Sequence, residues 1–207
     1  PDTIHLTVAV TQGTRSDGTK FKGVCSSHLA GLVPGKDKVR VFNRPSTFRL
    51  PKDTTRPILM VGPGTGVAPM RGLLQERHHL KSKGKSVGEN VLYFGCKKST
   101  EDFIYKDEME AFEKDGILTK LYLAFSREQR EKVYVQHLLS KNAAETWKLV
   151  NEEKGSIYVC GGVRMGHDVT EALKEIVGNE GQMSADKAKD YVAKMAMEGR
   201  FVQELWA

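Results

Sequence analysis

Residues 58–69 run Ile58-Leu59-Met60-Val61-Gly62-Pro63-Gly64-Thr65-Gly66-Val67-Ala68-Pro69, and this stretch decides the fold. Successive side chains of a strand point to opposite faces, so an unbroken apolar run suits a strand covered on both sides. The alternate glycines Gly62, Gly64 and Gly66 let the backbone turn tightly and approach a diphosphate. From Val67 an apolar pattern of helical period continues to about residue 83, where Gly84 stops it. The start of such a helix offers unpaired N–H groups and the positive end of its dipole to an anion. Pro69 fits the first helical turn, where its missing N–H is not needed. A purely structural glycine turn would give the same short string. The strand before it and the helix after it favour phosphate binding.

The same alternation continues outward from this stretch. Strands are predicted over residues 58–61, 91–94, 121–125, 157–159 and 201–205. Helices are predicted over residues 67–83, 101–114, 135–139, 143–152, 165–177 and 184–197. Strand–helix alternation with near-continuous apolar strands indicates an α/β domain whose parallel sheet has helices on both faces. Towards the N-terminus the texture is different. Residues 4–12 alternate, with Leu6, Val8 and Val10 on one side, and predict a half-buried strand. Asp17-Gly18 is a turn signal. Val39 and Val41 mark a further short strand, and residues 45–51 are a connector. Residues 1–52 are therefore β in character, with too few strands to close a barrel. They divide from an α/β domain over residues 53–207.

Ligands of an open parallel sheet bind beyond the carboxyl ends of its strands. The residues that follow the strands are Gly62 to Pro69, then Gly95-Cys96-Lys97-Lys98, then Ser126-Arg127, then Cys160-Gly161-Gly162. Glycines, hydroxyls and cations recur there without an acid, which suits a ligand rich in phosphate. NAD sites commonly place an acid on the adenosine ribose. Here Ser126, Arg127, Lys132 and Tyr134 crowd one loop, and a hydroxyl, a guanidinium, an ammonium and a phenol suit a 2′-phosphate. A solvated basic loop is the bland alternative, and the glycine loop weighs against it.

The bulk composition narrows the classes. A 39% hydrophobic content supports a packed core rather than disorder. No apolar run is long enough for a membrane helix, and no signal peptide opens the chain. The chain starts at Pro1 without Met and is taken as a piece of a longer protein, whose anchor could lie elsewhere. The formal charge of +6 is spread among residues of both signs. Aromatics total 8%, and no basic stripe interleaved with aromatics appears, which argues against nucleic acid. Cys25, Cys96 and Cys160 lie far apart without metal-ligand spacing, so free thiols in a reducing compartment are expected, in the cytoplasm or at its face.

The motifs GPGTGVAP (62–69), YFGCK (93–97), AFSREQREKVYVQHLL (124–139), YVCGG (158–162) and the terminal ELWA together resemble the NADPH domain of the diflavin reductases. That family includes the NADPH–cytochrome P-450 reductases and the reductase parts of fused P-450 monooxygenases. The resemblance spans the whole chain. It implies a ferredoxin–NADP reductase-like NADP-binding domain: a five-stranded parallel Rossmann-like sheet, preceded by part of an antiparallel FAD-binding β-barrel. It implies that Gly64, Thr65 and Gly66 meet the NADP pyrophosphate. Ser126, Arg127, Lys132 and Tyr134 would hold the 2′-phosphate, with Gln136 nearby. By the same resemblance Cys160 and Glu204 serve the nicotinamide, and Trp206 is the near-terminal aromatic that stacks on the flavin and moves aside. The Gly23-Val24-Cys25-Ser26 turn would take the FAD diphosphate. Taken singly, Trp206 reads as a core aromatic, Cys160 as a buried structural thiol and Gly23–Ser26 as an ordinary loop.

Departures from the family are visible too. Its Arg-x-Tyr-Ser flavin motif is absent, Gly162 stands where Asp is usual, and Glu204 stands where the family has a shorter acid. The implied function is NADPH-to-FAD hydride transfer, with electrons passed on through an FMN domain to a haem protein or other acceptor. The alternatives are a single-flavin ferredoxin–NADP reductase type of enzyme and an NADP(H)-binding module that lacks FAD and catalysis.

Overall fold

The computed structural model describes residues 3–206. Its chain divides into two compact units, Pro1–Ser46 and Thr47–Ala207. In the first unit, β1 (Gln12–Thr14) and β2 (Lys20–Lys22) form an antiparallel hairpin. The Asp17 carboxylate accepts the Thr19 amide at 2.9 Å within the turn. Gly18 sits there at φ +84, a conformation glycine adopts without steric cost. Helix α1 (Val24–Ala30) follows.

Two expectations fail in this unit. Residues 4–11 do not form a strand, which begins only at Gln12, and Leu6, Val8 and Val10 are exposed. No strand forms at Val39 and Val41 either. The alternation is a true amphipathic signal. A strand is stable, however, only when a neighbour takes up its N–H and C=O groups. Among the described residues of this unit only β1 and β2 form a ladder.

The second unit is the expected α/β domain. Its elements are β3 (Ile58–Val61), α2 (Val67–Ser82), β4 (Asn90–Cys96), α3 (Lys106–Lys114), β5 (Lys120–Phe125), α4 (Val135–Lys141), α5 (Ala143–Trp147), β6 (Ser156–Gly162), α6 (Val163–Glu180), α7 (Ala185–Met197) and β7 (Phe201–Trp206). A 3-10 turn, Gly64–Gly66, precedes α2, and a π-helical stretch, Lys148–Glu152, continues α5. The five strands are parallel, in the order β5-β4-β3-β6-β7. The chain steps outward from β3 to β5, returns across β3 to β6, and steps outward again. The reversal leaves a crevice at the carboxyl ends of β3 and β6, the place where such sheets bind ligands.

Side-chain parity explains the two layers. Ile58 and Met60 of β3 point into one core with Val67, Met70 and Leu74 of α2 and Met109 and Phe112 of α3. Leu59 and Val61 point into the other core with Leu139 of α4, Leu173 and Ile176 of α6 and Val192 and Met195 of α7. All four β3 residues are at most 1% exposed, as a strand covered on both faces requires.

Strand β6 runs three residues beyond the predicted end. Cys160, Gly161 and Gly162 pair in register with Glu204, Leu205 and Trp206 of β7. Helix α3 begins at Lys106 rather than near residue 101. Tyr105 is left-handed at φ +59, Phe103 stacks on Phe94 at 5.0 Å, and Asp102 is committed to loop amides. Arg77 of α2 is fully buried. Its guanidinium donates to Arg56 O at 2.7 Å and Gly88 O at 3.0 Å, tying the entry of β3 to the entry of β4. Burial pushes its pKa down to about 10, still charged at neutral pH.

Candidate functional site

The glycine loop is shaped by two contacts that only glycine permits. A Cβ on Gly66 would lie 2.1 Å from the Cys160 carbonyl oxygen, and one on Gly62 would lie 2.4 Å from the Gly66 carbonyl oxygen. The 3-10 turn therefore sits directly on β6. Gly66 donates its own N–H to Pro63 O at 3.1 Å, so its role is packing. Gly64 differs: it lies at φ +57 with open space around its Cα. No described residue accepts the Gly64 or Thr65 amide. These two donors stand ahead of α2, where the helix dipole is positive.

Beyond the ends of β3, β4, β5 and β6 lies a cavity of about 710 Å³, within the usual range for small-molecule sites. Gly64 lines one part of it; Ser126, Lys132, Tyr134 and Gln136 line another. The two loops that sequence reasoning singled out thus share one space. Thr65, Gly66, Arg127, Cys160, Glu204 and Trp206 lie outside the lining. Ser126 and Arg127 extend the pairing of β5 with β4 by donating their amides to Cys96 O and Lys97 O, each at 3.0 Å. The Arg127 side chain is exposed.

At the start of α4, buried Val135 faces Gly95, where an added Cβ would come 3.1 Å from the Val135 methyl. That anchor sets Tyr134 and Gln136 in the cavity wall on either side. The Tyr134 amide donates to His137 Nδ1 at 3.3 Å.

Sequence reasoning missed several lining residues. Lys97 and Arg164 add cations, while Asp102, in the loop after β4, and Asp168 of α6 are acids in a site that the sequence reading took to be free of them. Arg164 follows the true end of β6 by two residues, and a strand ended at residue 159 hides it. Asp102 accepts the Lys97 and Lys98 amides at 3.0 and 2.8 Å. Burial works to raise its pKa, but those hydrogen bonds and the Lys97 charge outweigh it and hold it below the usual carboxylate range. Asp168 accepts from the Gln136 amide nitrogen at 3.4 Å and lies 3.6 Å from His167 Nδ1.

Cys160 and Glu204 are direct register partners on β6 and β7, as are Gly162 and Trp206. Burial, reinforced by the Glu204 charge, pushes the Cys160 thiol up to about 11. At neutral pH this thiol is protonated, a weak hydrogen-bond donor rather than a nucleophile. Trp206 is 45% exposed, on the rim of the sheet. In the first unit Gly23 precedes α1. The Ser26 hydroxyl accepts the Thr11 amide at 3.0 Å and is thereby occupied.

The donor set fits a phosphorylated dinucleotide, with free loop amides at one end and hydroxyl, phenol and ammonium groups at the other. Residues 60–171 match the oxidoreductase NAD-binding domain family. The chain belongs to that family. Over its whole length this NAD-binding-domain protein is also similar to the NADPH–cytochrome P-450 reductases of Bos taurus (45% identical), Musca domestica (44%) and Homo sapiens (44%). It spans 31% of the length of each of these relatives. Among the described residues, no helix is long and apolar enough to cross a membrane. All three cysteines are free thiols, Cys25 exposed and Cys96 and Cys160 buried.

Proposed function

We propose that the chain is the NADPH-binding part of a flavoprotein reductase, with residues 53–207 holding NADP(H) and residues 1–52 belonging to the FAD-binding domain. In the full-length protein, NADPH supplies hydride to FAD, and the electrons pass through an FMN domain to a haem protein or other acceptor. The observation that carries this reading is the meeting, in one cavity, of the glycine loop and the basic loop after β5. Support comes also from the names of the relatives, which are NADPH-dependent reductases of cytochrome P-450.

In this reading the Gly64 and Thr65 amides receive the pyrophosphate, and Gly66 keeps their loop seated on β6. Ser126, Arg127, Lys132 and Tyr134 receive the 2′-phosphate, and Gln136 packs beside it. Contacts at this remote end hold the coenzyme while Trp206 moves away from the flavin. Cys160, kept neutral, and Glu204, kept beside it by the β6–β7 register, face the nicotinamide. Gly23, Val24, Cys25 and Ser26 take the FAD diphosphate. The free thiols support a reducing location, in the cytoplasm or at its membrane face.

The test is calorimetric titration of Arg127→Ala. Loss of a charge-assisted phosphate contact should weaken NADP+ by about tenfold to a hundredfold and leave NAD+ nearly unchanged. Equal losses for both nucleotides would refute the 2′-phosphate assignment. The short hairpin and exposed apolar residues of the first unit favour a second reading for this 207-residue chain taken alone: a nucleotide-binding module that retains no flavin. A visible spectrum decides between them. Absorption near ~450 nm means that flavin is held, as expected of a flavoenzyme whose cofactor carries the redox chemistry.

A further inference from the structure

We infer that Asp102 and Glu128 form a two-carboxylate clamp on the cavity's basic loops, and that Glu128 is a positioning residue that sets the preference for 2′-phosphorylated nucleotides without touching them. This inference rests on the 2′-phosphate site proposed above. Its basis is where main-chain pairing stops. Strands β4 and β5 pair to Cys96 and Phe125. The Ser126 and Arg127 amides carry that pairing on to Cys96 O and Lys97 O. Beyond Arg127 no further main-chain bond joins the two loops among the described residues.

Side chains take over from there. Three successive amides of the loop after β4 each end on a carboxylate: Lys97 and Lys98 on Asp102, and Ser99 on Glu128. Glu128 thus ties the residue that follows Arg127 to the neighbouring loop. The Gln129 side-chain amide donates to Phe125 O and closes the same turn from the other side. Arg127 is held by its own amide, by the Glu128 carboxylate and by Gln129, although its side chain is exposed.

The clamp also answers an electrostatic problem. Left unpaired, the adjacent Lys97, Lys98 and Ser99 amides would be donors that compete for the phosphate. The two carboxylates take up these amides, which leaves the exposed side chains of Arg127 and Lys132 for the phosphate, while the Ser126 hydroxyl donates to Cys96 O at 3.4 Å. Hydrogen bonds from the Ser99 hydroxyl and amide hold the Glu128 carboxyl below its ordinary range, so the clamp is intact at neutral pH.

The probes are 2′,5′-ADP and 5′-AMP, which differ only in the 2′-phosphate, titrated calorimetrically against the 207-residue chain. Glu128→Ala should weaken 2′,5′-ADP by about five- to twentyfold and 5′-AMP by less than about twofold, the range for coupled neighbours. Glu128→Gln keeps an acceptor oxygen and should retain 2′,5′-ADP within about threefold of the wild-type chain. Because Glu128 acts through Arg127, adding Glu128→Ala to Arg127→Ala should cost less than about a further twofold. Equal weakening of both nucleotides by Glu128→Ala, no weakening of either, or full additivity with Arg127→Ala would each overturn the clamp. If Arg127→Ala alone fails to weaken 2′,5′-ADP selectively, the phosphate site itself is wrong. If it does so while Glu128→Ala has no effect, only the clamp is wrong. Glu128 is exposed, so the fold should survive its replacement. A thermal melt within about a degree or two of wild type confirms this, as for surface substitutions generally.

Discussion

Replacing Gly66 with alanine should strike stability and coenzyme binding together. The added Cβ would sit 2.1 Å from Cys160 O and 2.9 Å from Cys160 C. A relaxed carbon contact needs roughly 3.5 Å, so the 3-10 turn and β6 must part by about an ångström. Both flanks resist: Val67 and Met70 on α2 and Cys160 on β6 are buried in the same core. Overpacking of this kind costs about 1–3 kcal/mol. In a chain of this size that lowers Tm by roughly 3–10 °C. The same displacement carries the Gly64 and Thr65 amides with it, and misplacement by ~1 Å can cost a hundredfold in a positioned contact. The assay is a thermal melt of each variant with and without NADP+, alongside titration of the coenzyme. Gly72→Ala on the same helix is the control, since an added Cβ there meets nothing within 4 Å. That change should stabilise by about 0.5–1 kcal/mol through helix propensity. A Gly66→Ala chain that melts within a degree of wild type and binds NADP+ normally would refute the argument that the turn is seated on β6.

Other outcomes follow from the same geometry. Arg77→Met should destabilise by about 1–3 kcal/mol, because the Arg56 and Gly88 carbonyls lose a buried donor; chemical denaturation with no change in midpoint would contradict it. Iodoacetamide near pH 8 should alkylate exposed Cys25 and spare Cys96 and Cys160, whose thiols burial pushes up to about 11; mass spectrometry showing all three modified in the native chain would count against this. For these two thiols the folded chain holds its protons more tightly than the unfolded chain, in which the ordinary value is 9.0. Their contribution to stability is therefore complete below about pH 9 and lost as pH rises towards 11, so the denaturation midpoint should fall across that interval. In the full-length protein, Cys160→Ala should slow flavin reduction by NADPH in stopped-flow measurements more than it weakens NADP+ binding; unchanged reduction rates would remove the thiol from the nicotinamide site.

The α/β domain was legible because its signals are local. An apolar run as short as Ile58–Val61, closed by Gly62-Pro63, suits a strand covered on both faces, and Gly84 ends α2 where the helical pattern stops. The glycine loop and the Ser126 to Gln136 segment were legible for the same reason. Residues that depend on tertiary pairing were not. The end of β6 is set by β7, which lies forty residues or so further along the chain (Cys160 opposite Glu204), so Arg164 escaped notice. The start of α3 is displaced by Asp102, whose carboxylate serves loop amides rather than the helix. Buried Arg77 looks like a surface cation in sequence, because its partners are carbonyls of distant loops. The apolar alternation of residues 4–12 predicts a strand, yet a strand also requires a partner, which a local pattern does not supply.

The most direct test of the account is a crystal structure of the chain with NADP+ bound. The pyrophosphate should lie against the Gly64 and Thr65 amides, and the 2′-phosphate should lie within hydrogen-bonding distance of Ser126 and Lys132, with the Arg127 guanidinium turned towards it. A coenzyme bound away from the cavity, or lying in it with its 2′-phosphate directed away from these residues, would contradict the account.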